Sequence, residues 1–76
     1  MKSGIVSRSD DSSATAVTEL RMRASEDSPG NGVFLVNGDS VTMLEEITTQ
    51  EGALFYFVSS GRRKGFLRAE YCRPAE

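Results

Sequence analysis

The residues of this chain that could do chemistry are few and scattered. The 76 residues include no histidine, so the commonest general base is absent, and Cys72 is the only cysteine. A lone thiol without an imidazole partner has nothing to lower its pKa, and it supplies neither a disulfide nor a zinc ligand set. Glu45 and Glu46 point to opposite faces of a regular strand, so they cannot share one proton. The sequence therefore predicts no enzyme activity, no metal centre and no cofactor.

The segment Arg62-Arg63-Lys64 places three positive charges close together between two predicted strands. Such a segment can contact phosphates, including those of nucleic acid. The chain as a whole has 11 acidic and 9 basic residues, however, and a net charge of -2, which gives no general field for a polyanion. Phosphate or nucleic-acid binding through this hairpin tip is therefore an alternative and not the leading interpretation.

Composition also indicates the cellular compartment of the protein. No apolar run approaches the roughly 20 residues that a membrane-spanning helix requires. Residues 1–10 lack the continuous apolar region of a secretory signal, and a single cysteine gives no indication of an oxidising compartment. We therefore expect a monomeric protein in the cytoplasm that makes no contact with a membrane.

The chain divides by composition into a leader, one domain and a short tail. Residues 1–15 are rich in Ser and Asp, and Met1, Ile5 and Val6 are their only large apolar side chains. Such a segment buries too little apolar surface to offset the entropy of ordering, which predicts a disordered leader or linker. The domain is then expected at residues 16–74, with residues 75–76 as a tail.

The domain reads as a series of short strands separated by turns. Strands are predicted at residues 16–22, 41–47, 53–59, 65–68 and 72–73, with an apolar stretch at 33–36 and a loop at 23–32. Asn37-Gly38 is a tight-turn signal because both residue types accept positive φ. A single 3₁₀ turn is expected over residues 68–71. Five closely spaced strands predict an all-β domain that forms a small barrel. Strand alternation predicts a core that consists of Val41, Met43, Phe55, Phe57 and Leu67.

Two segments resemble the best-marked parts of a Src homology 3 domain. The first is VFLVNGDSVTML at residues 33–44, which is similar to the family pattern L-x-F-x-x-G-D followed by alternating hydrophobic residues. The second is GFLRAEYC at residues 65–72, which is similar to the pattern of glycine, two hydrophobic residues and P-x-x-Y. Across residues 17–73 the resemblance implies a five-stranded barrel whose shallow groove binds proline-rich peptides.

The same resemblance shows where that groove is altered. Tyr71 matches the tyrosine of the family pattern, whereas Arg68 replaces the groove proline. The family tryptophan is missing, since the chain contains none, and Tyr56 is the best candidate for an exposed aromatic platform. The tyrosine-rich opening of the family should fall at residues 20–25, where this chain reads LRMRAS.

Glu26 and Asp27 lie where the family places acidic residues that pair with an arginine of the ligand, although a solvated acidic loop is the simpler and preferred explanation of both residues. The leading hypothesis is a non-catalytic protein-interaction module of a larger signalling or scaffolding protein. Its proline-peptide groove is altered or silent, and the module docks on a neighbouring domain of its own chain. Tyr56, Arg68, Tyr71, Glu26 and Asp27 are the predicted contact residues. Conventional binding of proline-rich peptides is the first alternative.

Overall fold

The computed structural model describes residues 2–75, and these form an all-β domain, as predicted. Its strands are β1 (Lys2–Val6), β2 (Val17–Arg21), β3 (Gly30–Val36), β4 (Ser40–Thr48), β5 (Leu54–Ser60), β6 (Arg63–Arg68) and β7 (Cys72–Pro74). The expected 3₁₀ turn is present at Ala69–Tyr71, immediately before β7. No helix among residues 2–75 has the length and hydropathy needed to span a membrane.

The strands form one antiparallel sheet in the order β3-β2-β6-β5-β4-β1-β7. β3 and β7 lie at its two edges and do not pair with each other, so the sheet is open. The prediction of a five-stranded barrel is therefore wrong in strand number and in closure. The difference arises because β1 and β3 add to the five expected strands, and β3 joins the sheet through β2 alone.

The prediction of a disordered leader is wrong for β1. This strand pairs with β4 and with β7, and Val6 is completely buried. Gly4 makes the close approach possible, because a Cβ atom there would lie 2.7 Å from the Sγ atom of Cys72. The segment has few apolar residues of its own, but the rest of the chain supplies both a core and strand partners for it. Met1 of the leader and Glu76 of the tail lie outside the described residues.

The polar part of the expected leader is attached to the domain by Asn37. The Asn37 amide accepts a hydrogen bond from the backbone N–H of Arg8 at 2.9 Å. The same side chain donates to the carbonyl oxygens of Asp11 and Ser13, each at 2.8 Å. At the tight turn itself only Gly38 has a positive φ, of 97°, so Asn37 serves as an anchor and does not adopt the left-handed conformation.

The core lies on one face of the sheet. Its buried cluster consists of Val6, Leu20, Val33, Leu35, Val41, Val58, Leu67 and Cys72. Val58 and Leu67 share this face with Tyr56, because Tyr56 is paired directly with Leu67 on the neighbouring strand. The predicted core residues Val41 and Leu67 are confirmed, and Met43 packs against the cluster from a half-buried position.

Of the two phenylalanines of β5 predicted to be in the core, Phe55 is confirmed and Phe57 is not. Phe55 is fully buried but lies outside the main cluster. Phe57 is only half-buried, and its ring is 4.8 Å from that of Phe66, its partner on β6. The prediction that Phe57 belongs to the core is therefore wrong. The strand alternates as expected, but the main cluster forms on the face of Val58 and not on the face of the phenylalanines.

Candidate functional site

A cluster of charged residues surrounds Tyr71, the last residue of the 3₁₀ turn. We call it the Tyr71 cluster, and its members are Arg8, Asp10, Glu26, Arg68, Glu70 and Tyr71. The guanidinium carbons of Arg8 and Arg68 lie 5.2 and 5.7 Å from the centroid of the Tyr71 ring, within the range of cation–π attraction. The Tyr71 hydroxyl donates to Asp10 at 3.4 Å, and the half-buried ring packs against the core.

Local chain geometry explains why these residues meet. β6 ends at Arg68, and the 3₁₀ turn that follows brings Tyr71 back beside it before β7 begins. Arg8 comes two residues after β1, which pairs with β7 directly beyond Tyr71. The backbone confirms this proximity, since the N–H of Ser7 donates to the carbonyl oxygen of Tyr71 at 2.8 Å. The carboxyl-terminal ends of β1 and β6 therefore position Arg8 and Arg68.

Arg8 is held by three hydrogen bonds to two residues. Its Nε and Nη2 atoms donate to the two carboxylate oxygens of Asp10, both at 2.9 Å, in a fork-to-fork arrangement. Its Nη1 atom donates to the carbonyl oxygen of Val17 at 2.7 Å. The hydrogen bond from Arg8 lowers the pKa of Asp10 below its usual value. Asp10 therefore stays ionised through the physiological range and keeps Arg8 over the ring.

Arg68 is bound by two carboxylates. It contacts Glu26 at 2.7 Å and Glu70 at 2.6 Å. Burial by itself would lower the pKa of Arg68, but the hydrogen bond that Arg68 donates to Glu70 and the nearby negative charges raise it overall. The family resemblance places Glu26 where it would pair with an arginine of a ligand, and in the structure Glu26 pairs with Arg68 of its own chain. Glu26, Arg68 and Tyr71 are thus brought together.

The other two predicted contact residues lie elsewhere. Asp27 is exposed and accepts a hydrogen bond from Ser25, which lowers the pKa of Asp27, and it forms no salt bridge within residues 2–75. Tyr56 lies in a separate groove of about 610 Å³. The residues lining that groove are Lys2, Met43, Leu44, Glu45, Glu46, Tyr56 and Pro74. Tyr56 and Tyr71 consequently do not line a common groove.

A second concavity adjoins the Tyr71 cluster between β2 and β6. It has a volume of about 190 Å³ and is called here the β2–β6 cleft. Its lining residues are Arg8, Thr18, Glu19, Arg21, Phe66, Leu67, Arg68 and Tyr71. The hydroxyl of Thr18 is buried without a hydrogen-bond partner among the described residues. This cleft is more polar than the Tyr56 groove and contains three arginines.

Sequence reasoning missed Arg8, Asp10 and Thr18 as members of a site. The spacing of Arg8 and Asp10 permits the observed pairing, but both residues fell in the segment assigned to a disordered leader. Thr18 carries no signal of its own, because its lack of a partner depends on how β2 and β6 separate. The Arg62–Lys64 tip is exposed, as expected. Arg68 is not part of this tip, because Arg63 and Arg68 lie at opposite ends of β6, about five residues or roughly 16 Å apart.

The solvent-facing side of the β2–β3 hairpin carries three exposed apolar residues, which we call the outer hairpin face. Phe34 is 63% exposed, Val17 46% and Val36 36%. Val17 and Val36 are paired directly across the two strands, and Phe34 lies two residues before Val36 on the same side. The outward side of an antiparallel sheet is ordinarily polar. The apolar residues therefore mark this side as a surface that another molecule can cover.

No family model matches this chain, and searches of curated proteins and of solved structures find no match to it. The function proposed below therefore rests on the residues and their geometry.

Proposed function

We propose that this chain is a non-catalytic protein-interaction module of a larger signalling or scaffolding protein, similar to a divergent Src homology 3 domain. It docks on a neighbouring domain of its own chain, and its proline-peptide groove is silent. The observation that carries the proposal is the outer hairpin face formed by Val17, Phe34 and Val36. Clustered apolar side chains on an otherwise polar sheet surface are typical of contact sites between proteins.

The Tyr71 cluster supports the loss of the proline-peptide groove. A proline ring is gripped by flat aromatic surfaces, and Arg8 and Arg68 already lie over the Tyr71 ring. Phe55 is fully buried and offers no exposed surface. Tyr56 lines a different groove and cannot act together with Tyr71 on one short peptide. Ordinary proline-rich peptides therefore lack the adjacent rings on which their binding depends.

Cys72 supports the non-catalytic part of the proposal. Its side chain is buried among Val6 and other core residues, and burial raises the pKa of the thiol. A buried and protonated thiol is a poor nucleophile. Packing in the core is therefore a sufficient reason for a cysteine at position 72, and no chemical role is needed to explain it.

The docking surface is tested by photo-crosslinking in the cell that makes the protein. A photoreactive amino acid is placed at position 34, and crosslinked peptides are identified by mass spectrometry. We expect a crosslink to a neighbouring domain of the same polypeptide. The contact is then rebuilt from purified parts, and Phe34→Ser should weaken it at least about tenfold, as expected for an apolar residue at the centre of a contact.

Leu54→Ser is the control, because Leu54 is another exposed apolar residue, at 37%, and lies at the start of a different strand. It should leave the contact intact. Crosslinks to a separate protein would show an intermolecular partner in place of a neighbouring domain. Equal loss with Phe34→Ser and Leu54→Ser, or no crosslink at position 34, would contradict docking through the outer hairpin face.

A further inference from the structure

We propose that the β2–β6 cleft binds a phosphate group carried by a segment of a partner protein. The inference rests on the proposed function as a protein-interaction module and names the chemistry of what the module recognises. It concerns different residues from the outer hairpin face, so the two can be tested separately.

The cleft exists because β2 and β6 pair at a single position. Arg21 is the only β2 residue paired with β6, opposite Phe66, whereas β5 and β6 pair along their length. The carbonyl group of Val17 points away from β3, since Arg8 donates to it from the other side. Antiparallel alternation directs the backbone groups of Glu19 the same way, toward the gap. Polar backbone therefore faces the cleft.

Thr18 provides the strongest sign that the cleft is built for a polar ligand. Thr18 is one of the residues that line the cleft, it is only 6% exposed, and its buried Oγ1 atom has no hydrogen-bond partner among residues 2–75. An unpaired hydroxyl in a protein interior is destabilising, and such groups are rare. A ligand oxygen in the cleft would accept from this hydroxyl and remove the cost.

Three arginines supply the positive charge. The Nη1 atom of Arg21 donates to the carbonyl oxygens of Ser25 and Glu26, at 2.8 and 2.6 Å, while its Nε and Nη2 atoms have no partner among the described residues. Arg8 and Arg68 also line the cleft. Several guanidinium groups and a hydroxyl around one small space suit a tetrahedral oxyanion, which can accept hydrogen bonds in more directions than a planar carboxylate.

The negative side chains nearby do not prevent binding. The carboxylate of Glu19 is turned toward β3, where it accepts from the N–H of Gly32 at 2.8 Å. The carboxylates of Asp10, Glu26 and Glu70 that hold the other arginines are each more than half exposed. Because these ion pairs are exposed to solvent, a phosphate can replace a carboxylate as the partner of an arginine, which an uncharged proline ring cannot do. The same carboxylates repel an extended polyanion, which favours a single phosphate on a peptide over nucleic acid.

The first test is an NMR titration of the full chain with sodium phosphate at neutral pH. Sodium acetate and sodium chloride at equal ionic strength serve as comparison salts. We expect saturable shifts of the Glu19 and Leu67 amides and of the Arg21 Nε–H signal with phosphate only. A phosphoserine peptide should bind at least about tenfold more tightly than its unphosphorylated form, and more tightly than a short oligonucleotide.

Thr18→Val separates a ligand site from a structural one. This change removes the unpaired hydroxyl while keeping the shape of the side chain, so we expect a higher melting temperature together with phosphate binding weakened about tenfold. Arg21→Gln should abolish saturation, and Glu26→Gln should strengthen binding because a competing carboxylate is lost. Arg63→Gln, in the exposed hairpin tip, is the matched control and should change nothing.

Three results would overturn the proposal. The first is shifts centred on Arg62–Lys64, which would place the phosphate at the tip. The second is a response to phosphate no different from that to sodium chloride, which would make the cleft a solvent-filled space only. The third is undiminished phosphate binding by a folded Thr18→Val variant. A failed crosslink at Phe34 with saturable phosphate binding would reject the docking surface and leave the cleft as a site.

Discussion

The backbone N–H of Val6 donates to the carbonyl oxygen of Asp39 at 2.9 Å, and the carbonyl oxygen of Val6 accepts from the N–H of Gly38 at 2.8 Å. These two bonds join the end of β1 to the turn that precedes β4. Because the Val6 side chain is also fully buried, the amino-terminal strand is part of the cooperative structure and not an addition to it.

Val6→Ala should therefore lower the free energy of unfolding by about 2 kcal/mol, through lost apolar burial and the small cavity that remains. This is a large fraction of the stability of so small a domain. Val17→Ala is the matched control, because Val17 is 46% exposed, and its effect should stay within about 0.5 kcal/mol. Urea unfolding followed by circular dichroism measures both. Equal stability of the parent and Val6→Ala proteins would show that β1 does not pack on the core.

The two phenylalanines of β5 give a second prediction. Phe55→Ala should cost about 3 to 5 kcal/mol, since Phe55 has no exposed surface and its removal leaves a cavity. Phe57→Ala should cost clearly less, because Phe57 is half-buried and loses mainly its contact with Phe66. Thermal unfolding of the two variants side by side gives the comparison. A larger loss for Phe57→Ala than for Phe55→Ala would show that Phe57 is the more deeply packed of the two residues.

Stability at alkaline pH should depend on Cys72. Burial raises the pKa of its thiol, so the folded chain holds the thiol proton more tightly than the unfolded chain does. The free energy of unfolding is then unaffected below the unfolded thiol pKa of about 8.5 and falls as the pH rises through the folded value. Urea midpoints between pH 7 and pH 10 measure the fall, which should be smaller in Cys72→Ala. An identical pH dependence in both proteins would contradict this assignment.

The sequence alone was sufficient to predict the all-β class and the local elements that depend on residues close together along the chain. The Gly38 turn, the 3₁₀ turn before β7 and the β5–β6 hairpin follow from residue types within a few positions. β1 could not be predicted in the same way, because Val6 gains its stability from distant strands and its own segment is polar. Arg8 escaped notice because it lies in the segment assigned to a disordered leader, and Thr18 because its surroundings are created by the separation of β2 from β6.

The state of the Tyr71 ring gives the last prediction. Peptides of the P-x-x-P type should bind the parent protein no more tightly than about 1 mM, or −4.1 kcal/mol. Arg8 and Arg68 lie over the ring, and each is held there by hydrogen bonds to carboxylates, so a proline must displace a bonded guanidinium before it can reach the aromatic surface. Chemical-shift titration with a set of such peptides measures the affinity.

The double variant Arg8→Ala/Arg68→Ala removes both guanidinium groups and should bind the same peptides more tightly than the parent, with shifts centred on Tyr71. Arg62→Ala/Arg63→Ala removes the same amount of charge from the exposed tip and should leave the affinity unchanged, which separates uncovering of the ring from a change in net charge. Submillimolar binding by the parent protein, with shifts at Tyr71, would instead restore conventional proline-peptide recognition. Binding that is equally weak in all three proteins would show that Tyr71 has lost this role even when uncovered, because no second ring stands beside it.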